Sequence, residues 1–220
     1  MRAYHFICAK YGLEDIKHKR LKISRLEDLN DPFELLSLEL SEKPLRDAFL
    51  KVKEQLNKTR GILCFSEDWH NPVMWSHYAE KHKGLCLEFE ISNELLAKIN
   101  YSQIRLKKEM EGLFHSQSDV QESAMDRILT TKFAHWKYER ERRIFVGLDM
   151  ADSDGHYYAD FSEQLKLVGV IAGPRSTISR KDLNDVLELA QIKSSVKSFK
   201  SRLAFRSFRV VKNQNQSLWQ

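Results

Sequence analysis

The pattern of apolar and polar positions divides the chain into short elements. Tyr4 to Cys8 alternates aromatic and polar residues, and Leu21 to Leu26 alternates apolar with basic ones, so both segments predict strands. Asn30-Asp31-Pro32 breaks the pattern. From about Lys43 to Lys58 the period lengthens: Leu45, Phe49, Val52 and Leu56 recur at helical spacing until Gly61 ends the stretch. Ile62 to Ser66 is a short apolar strand. Pro72 suits the first turn of a helix that runs to about His82 and stops at Gly84, after which Leu85 to Ile91 returns as a strand. Ser92 or Asn93 caps a short helix, and a longer helix is predicted from about Asp119 to Trp136. Arg142 to Gly147, His156 to Phe161 and Leu165 to Ala172 are extended, Ile178 to Ala190 is helical, and Val196 to Val211 supplies one or two last strands. Helices and strands mix without regular alternation, which predicts an α+β fold with a largely antiparallel sheet over a doubly wound one. With no internal repeat and no low-complexity linker, residues 1–220 are expected to form one domain.

Composition narrows the setting. At 220 residues and 42% hydrophobic content, the chain has enough apolar material for one sizeable core. No run approaches the ~18 apolar residues of a membrane span, and the N-terminal segment becomes charged too early for a signal-peptide core, so a cytoplasmic location is expected. Cys8, Cys64 and Cys86 are odd in number and sit in apolar runs, which predicts reduced core thiols. The net charge of +5 is unevenly spread: seven basic residues and no acid lie from Gln191 onward, leaving about −2 for residues 1–190. Phe199, Phe205 and Phe208 interleave with that charge. Two readings stand, a stripe that faces a polyanion and a solvated edge strand kept soluble by lysines.

Two stretches hold candidate chemistry. In CFSEDWHNPVMWSHYAEKH, between Gly61 and Glu88, a strand delivers Ser66 and the helix after it carries Met74, Trp75, His77, Tyr78 and His82. Helical spacing puts Met74, Tyr78 and Lys81 on one face and Trp75 and His82 on another. The cluster reads as a pocket wall with rings for a flat ligand, or as an amphipathic helix with core aromatics. In WKYERERR, Glu139 and Glu141 stand one residue apart before the strand RRIFVG, a spacing that on an extended chain places both carboxylates on one face. Such a pair can divide labour, one ionised and the other tuned to handle a proton; the plainer reading is a solvated edge neutralised by Arg140, Arg142 and Arg143. His70, His77 and His82 match no defined zinc spacing, so no metal is expected. The turn Gly173 to Thr177 is a weak candidate for a phosphate.

These stretches carry a resemblance. YHF, LNDPFE, CFSEDWHNPVMWSHYAEKHKGLCLEFE, WKYERERR and VGVIAG together resemble a widespread prokaryotic domain family of undefined function, marked by N-D-P-F-E, C-F-S, M-W-x-H-Y and W-x-x-E-x-E-x-R. More distantly, His5 on an early strand, GILCFS followed by Tyr78 on a helix, and Glu141 opening a late strand are similar to ADP-ribosyltransferases of the His-Tyr-Glu type. The chain departs from that pattern in lacking a glycine after His5 and in having Glu67 after Ser66. The resemblance implies an ADP-ribosyltransferase-like fold and NAD⁺ as substrate, with no metal. It implies Glu141 as the carboxylate that steadies the ribose cation and Glu139 as the group that activates the acceptor. His5 would hold the adenosine-side ribose, Trp75 and Tyr78 would pack on nicotinamide, and Ser66 and His77 would complete the lining. Asn30 and Asp31, with Arg202 and Arg206 of the basic segment 191–220, would contact the acceptor. Basic residues interleaved with aromatics suit a nucleic acid, RNA or DNA, in that role. Related transferase toxins are paired with antitoxins in phage-defence modules, so the resemblance also implies a protein partner that masks the site. The competing expectations are a non-catalytic nucleotide or nucleic-acid binding module and a nuclease.

Overall fold

The computed structural model describes residues 1–107 and 118–219. In chain order its first half holds β1 (Arg2–Ile7), α1 (Ala9–His18), β2 (Arg20–Arg25), α2 (Lys43–Thr59), β3 (Arg60–Ser66), α3 (Pro72–Tyr78), β4 (Leu85–Ile91), β5 (Ala97–Lys98) and β6 (Asn100–Ser102). The second half holds α4 (Ser118–Leu129), β7 (Thr131–Phe133), β8 (Glu141–Gly147), β9 (Tyr157–Asp160), β10 (Leu165–Ala172), α5 (Arg180–Leu189), β11 (Lys197–Leu203) and β12 (Val210–Lys212). The fold is α+β. One mixed sheet runs β12-β11-β10-β4-β1-β3-β2-β9, with β8 beside β3 and β5 beside β8, and it is antiparallel except where β10 meets β11. β6 and β7 form a separate parallel pair.

The pleat sorts the apolar residues into two cores. Along β4, Leu85, Leu87, Phe89 and Ile91 share one face with Ala3 of β1 and with Val170 and Ala172 of β10, and Ile16 of α1 with Leu183 and Leu187 of α5 cover them. On the opposite face Phe6, Cys86 and Ile171 meet Met74 and Trp75 of α3. A strand covered on both sides is apolar at nearly every position, as the buried run Leu85-Cys86-Leu87 is. The cysteines are free thiols, with Cys86 buried and Cys8 and Cys64 partly so. Among the described residues no helix is long and apolar enough to cross a membrane.

Several elements differ from their sequence expectation. α1 was not anticipated, because its inward face carries Gly12, Asp15 and Ile16 instead of a row of large apolar residues. Gly12 lets the helix lie close: a Cβ would stand 2.9 Å from Ile7 Cγ2 and 3.0 Å from Leu85 Cδ1, so those side chains would have to move aside. Gly61 does not lie between elements but inside β3, packed on Ile23. α3 stops at Tyr78, short of His82, since Glu80, Lys81 and His82 all adopt left-handed backbone (φ 50°, 52° and 72°). Lys81 therefore shares no helical face with Tyr78. The helix expected to reach Trp136 ends at Leu129, where the hydroxyls of Thr130 and Thr131 donate back to Asp126 O and Arg127 O. Residues 108–117 lie outside the described residues. The turn after Ser92 is a single 3₁₀ turn, Asn93–Leu95.

Candidate active site

A split in the sheet makes the site. On one edge β3 pairs with β8 along its whole length, from Arg60 opposite Gly147 to Ser66 opposite Glu141. Its other edge is divided, with β2 taking Gly61 and Ile62, and β1 taking Ser66 alone opposite Tyr4. Between those contacts the strands part, and His5 bridges the opening. Its Nδ1–H donates to Cys64 O at 2.8 Å; because a carbonyl only accepts, Nε2 is left as an acceptor. Burial lowers the His5 pKa, against the opposing pull of the Cys64 carbonyl, and keeps the ring neutral at neutral pH. The opening is a cavity of about 510 Å³, a size suited to a small molecule. The exposed lining residues Asp28, Asn30 and His77 mark its mouth.

Five buried charges form the inner wall: Glu34, Lys132, Glu139, Glu141 and Arg143. Arg143 spans two carboxylates, with Nη1 and Nη2 donating to Glu34 Oε1 and Oε2 at 2.7 and 2.9 Å, and Nε and Nη2 to Glu141 Oε1 and Oε2 at 2.7 and 3.0 Å. A planar guanidinium forks across both partners in a way an ammonium cannot. Lys132 Nζ donates to Glu139 Oε2 at 2.6 Å and Glu141 Oε2 at 3.1 Å, and stands 3.8 Å from Glu34. The Tyr78 hydroxyl donates to Glu139 Oε1 and accepts from Asn30 Nδ2 at 2.9 Å. Fully ionised, three carboxylates against two cations leave one surplus negative charge facing the cavity.

The local backbone explains how neighbours in sequence meet here. Glu139 ends a 3₁₀ segment, Ala134–Glu139, Arg140 turns left-handed at φ 46°, and Glu141 opens β8. The two carboxylates therefore converge on Lys132 through a reversal of the chain and not, as the spacing suggested, along one extended face. They are also buried, not a solvated edge: Arg143 takes Glu141, whereas Arg140 and Arg142 reach outward to Glu67 at 3.2 and 2.7 Å. Ser66 Oγ donates to Glu139 O at 2.6 Å, and Glu141 N donates to the Tyr101 hydroxyl at 2.8 Å, so both ends of the turn are pinned.

The electrostatics separate the pair. Burial pushes the Glu141 carboxyl up, but Arg143 and Lys132 outweigh it and hold it at about 2. Glu139 goes the other way: burial raises it and Glu141 adds to that, against the attraction of Lys132. Lys132, disfavoured by burial, is nonetheless held charged by Glu141, Glu139 and Glu34, with its pKa raised. Burial and then Glu139 lift the Tyr78 hydroxyl far above its usual range, so it stays a donor. Glu141 is thus a fixed anion, and Glu139 is where a proton can come to rest.

Of the residues singled out from sequence, His5, Asn30, Ser66, His77, Tyr78, Glu139 and Glu141 line this one cavity. Others fall elsewhere. Trp75 is wholly buried, lies edge-on to Phe6 at 5.2 Å and donates Nε1–H to Trp69 O, so it is core and not a wall for nicotinamide. Asp31 is buried and its Oδ1 accepts from Phe33 N at 2.9 Å, which shapes the turn instead of facing the cavity. Arg202 and Arg206 belong to the β11–β12 hairpin, away from the lining. His70 Nδ1–H donates to Val210 O, and among the described residues no group of three or more His, Cys, Asp or Glu is placed to hold a metal. Glu34, Lys132 and Arg143 were missed. Glu34 and Arg143 close the N-D-P-F-E and W-x-x-E-x-E-x-R stretches and could have been found there; a buried lysine at 132 had no signal.

A family model described as "Protein of unknown function (DUF2971)" matches residues 74–144, a stretch that includes Tyr78, Lys132, Glu139, Glu141 and Arg143. No curated protein and no solved structure matches the chain.

Proposed function

We propose that the cavity between β1 and β3 transfers the ADP-ribosyl group of NAD⁺ to a nucleic acid, in an ADP-ribosyltransferase-like fold. The observation that carries this reading is the pairing of a fixed anion, Glu141, with a carboxylate of raised pKa, Glu139, in a cluster that bears a surplus negative charge when Glu139 is ionised. The bond from ribose C1′ to the nicotinamide nitrogen breaks, its electron pair leaves with nicotinamide, and C1′ gathers positive charge. A negative, poorly solvated wall stabilises that charge more than it stabilises the ground state. The acceptor's hydroxyl or amine then bonds to C1′ and gives its proton to Glu139.

The residue roles differ from those the sequence suggested. Glu141 is gripped through both oxygens by the Arg143 guanidinium and again by Lys132, so it acts as a positioning residue, while Glu139, held by Lys132 and by the neutral Tyr78 hydroxyl, is the carboxylate assigned the acceptor's proton. His5 Nε2 accepts from a ribose hydroxyl, and Asn30 orients the Tyr78 hydroxyl by donating to it. The two cations of the lining are taken by carboxylates, so the pyrophosphate lies toward the mouth beside His77. The order of His5 on β1, Tyr78 on the helix after β3 and Glu141 on β8 around one cavity supports the same reading.

The test is chromatographic release of nicotinamide from NAD⁺, with mass spectrometry of single-stranded RNA and DNA incubated alongside. Release and an added ADP-ribose, both lost in Glu139→Gln, are expected. Intact NAD⁺ with unmodified nucleic acid overturns the proposal, and NAD⁺ bound without turnover would make this a binding module. If the protein acts as a toxin, wild-type expression arrests growth and Glu139→Gln relieves it; a neutralising antitoxin would bind over the cavity mouth.

A further inference from the structure

The β11–β12 hairpin carries its aromatic residues outward. Phe205 and Phe208, in the connection between the strands, are 89% and 98% exposed, and Leu203 beside them is 58% exposed. A ring left almost wholly in water loses the stabilisation of burial, and a cluster of them marks a contact surface. The tip is firmly held below them. Ser201, Arg202 and Leu203 pair with Lys212, Val211 and Val210, and Ala204 N donates to Arg209 O at 2.9 Å. Val210 is buried and its N–H donates to His70 O at 2.8 Å, while Arg209 Nη2 stands 3.4 Å from Asp68 Oδ1. The hairpin is thereby tied to the loop that leaves the cavity at Ser66.

Cations surround the rings. The Arg202 guanidinium lies over Phe205, 4.3 Å from the ring centroid, Arg206 is exposed between the two phenylalanines, and no acid occurs from Gln191 onward. A tip that entered a lipid surface would keep its charges on a face apart from its rings. Here Arg206 stands at the tip with them. Alternating flat rings and cations match a chain of alternating bases and phosphates whose bases are free to stack.

We infer that the β11–β12 hairpin tip binds single-stranded nucleic acid, with unpaired bases stacked on Phe205 and Phe208 and phosphates held by Arg202 and Arg206. The inference rests on the proposed function for the class of acceptor, but it stands on different residues and needs no turnover. Both arms of its test use full-length protein carrying Glu139→Gln, so failure of the transferase reading leaves it untouched. Fluorescence anisotropy with labelled RNA and DNA oligonucleotides of about 12 nucleotides, within the span such platforms cover, reads the affinity. Binding is expected to fall at least ~10-fold in Phe205→Ala/Phe208→Ala, to be weaker for the same sequence as a duplex, and to lose about one unit of salt slope for each of Arg202→Gln and Arg206→Gln. Circular dichroism confirms that each variant is folded. Equal affinity of the double phenylalanine variant and its parent, equal affinity for duplex and single strand, or binding to anionic phospholipid vesicles without binding to oligonucleotides each overturns the inference.

Discussion

The buried cluster around Arg143 and the exposed hairpin around Phe205 use arginine and aromatic residues in opposite ways. In the cluster, Arg143 is 1% exposed and every polar edge it offers to Glu34 and Glu141 is filled. In the hairpin, Arg206 is exposed and Arg202 half-exposed, beside rings that bury almost nothing. A charge taken out of water must be matched within the protein, so the cluster is intolerant of change and fixed in geometry. A charge left in water costs the fold little and remains available to a partner. The same residue type therefore closes a buried network of charges in one place and stays open to solvent in the other.

Removing Arg143 should break this contrast most severely. Arg143→Met leaves Glu34 and Glu141 buried without their shared cation and should cost about 3–5 kcal/mol of stability, read by urea denaturation. A loss near zero would mean the cluster is open to water. Glu139→Gln should act more on activity than on fold: Lys132 keeps Glu141 and Glu34, so stability falls by about 1–3 kcal/mol, while nicotinamide release falls at least ~100-fold. A comparable fall in Glu141→Gln only together with a large loss of stability would confirm their separate roles.

Acidity probes a third buried group. Asp15 of α1 is buried, its Oδ2 has no partner, and burial raises its pKa to about 7. The folded state therefore holds this proton more tightly than the unfolded one, so Asp15 lowers stability progressively as pH rises from the ordinary carboxylate range through 7. Asp15→Asn should flatten that decline, raising Tm at pH 8 by on the order of 5 °C. Glu141 has the reverse sign: held at about 2, it contributes stability above the ordinary carboxylate range that disappears as pH falls through 2. The smallest effect belongs to the hairpin. Phe205→Ala/Phe208→Ala should change unfolding free energy by no more than ~0.5 kcal/mol, and a larger loss would show that the rings serve the fold.

What could be read beforehand follows from the kind of signal each feature leaves. β10 was legible to the residue, because the stretch from Leu165 to Ala172 is apolar at every position but Lys166, and Lys166 is the one exposed position. α1 was hidden because its packing face is made of a glycine and an acid, which leave no 3.6-residue stripe. The residues that line the cavity were legible as types, since His5, Tyr78 and Glu139 are costly to bury without cause. Their arrangement was not. Which rings are core depends on distant partners, and Trp75 cannot be told from Tyr78 until β1 is packed beneath the helix. Lys132 is a lysine in a three-residue strand, and nothing near it in sequence says that three carboxylates will close around it.

The bond between Glu34 and Arg143 joins positions 109 residues apart. A nascent chain synthesised only as far as Ser102 carries Glu34, His5 and Tyr78 but none of Lys132, Glu139, Glu141 and Arg143, so it holds one of the five charges of the inner wall. The buried network of charges is therefore completed late in synthesis, after both ends of that span have emerged and docked.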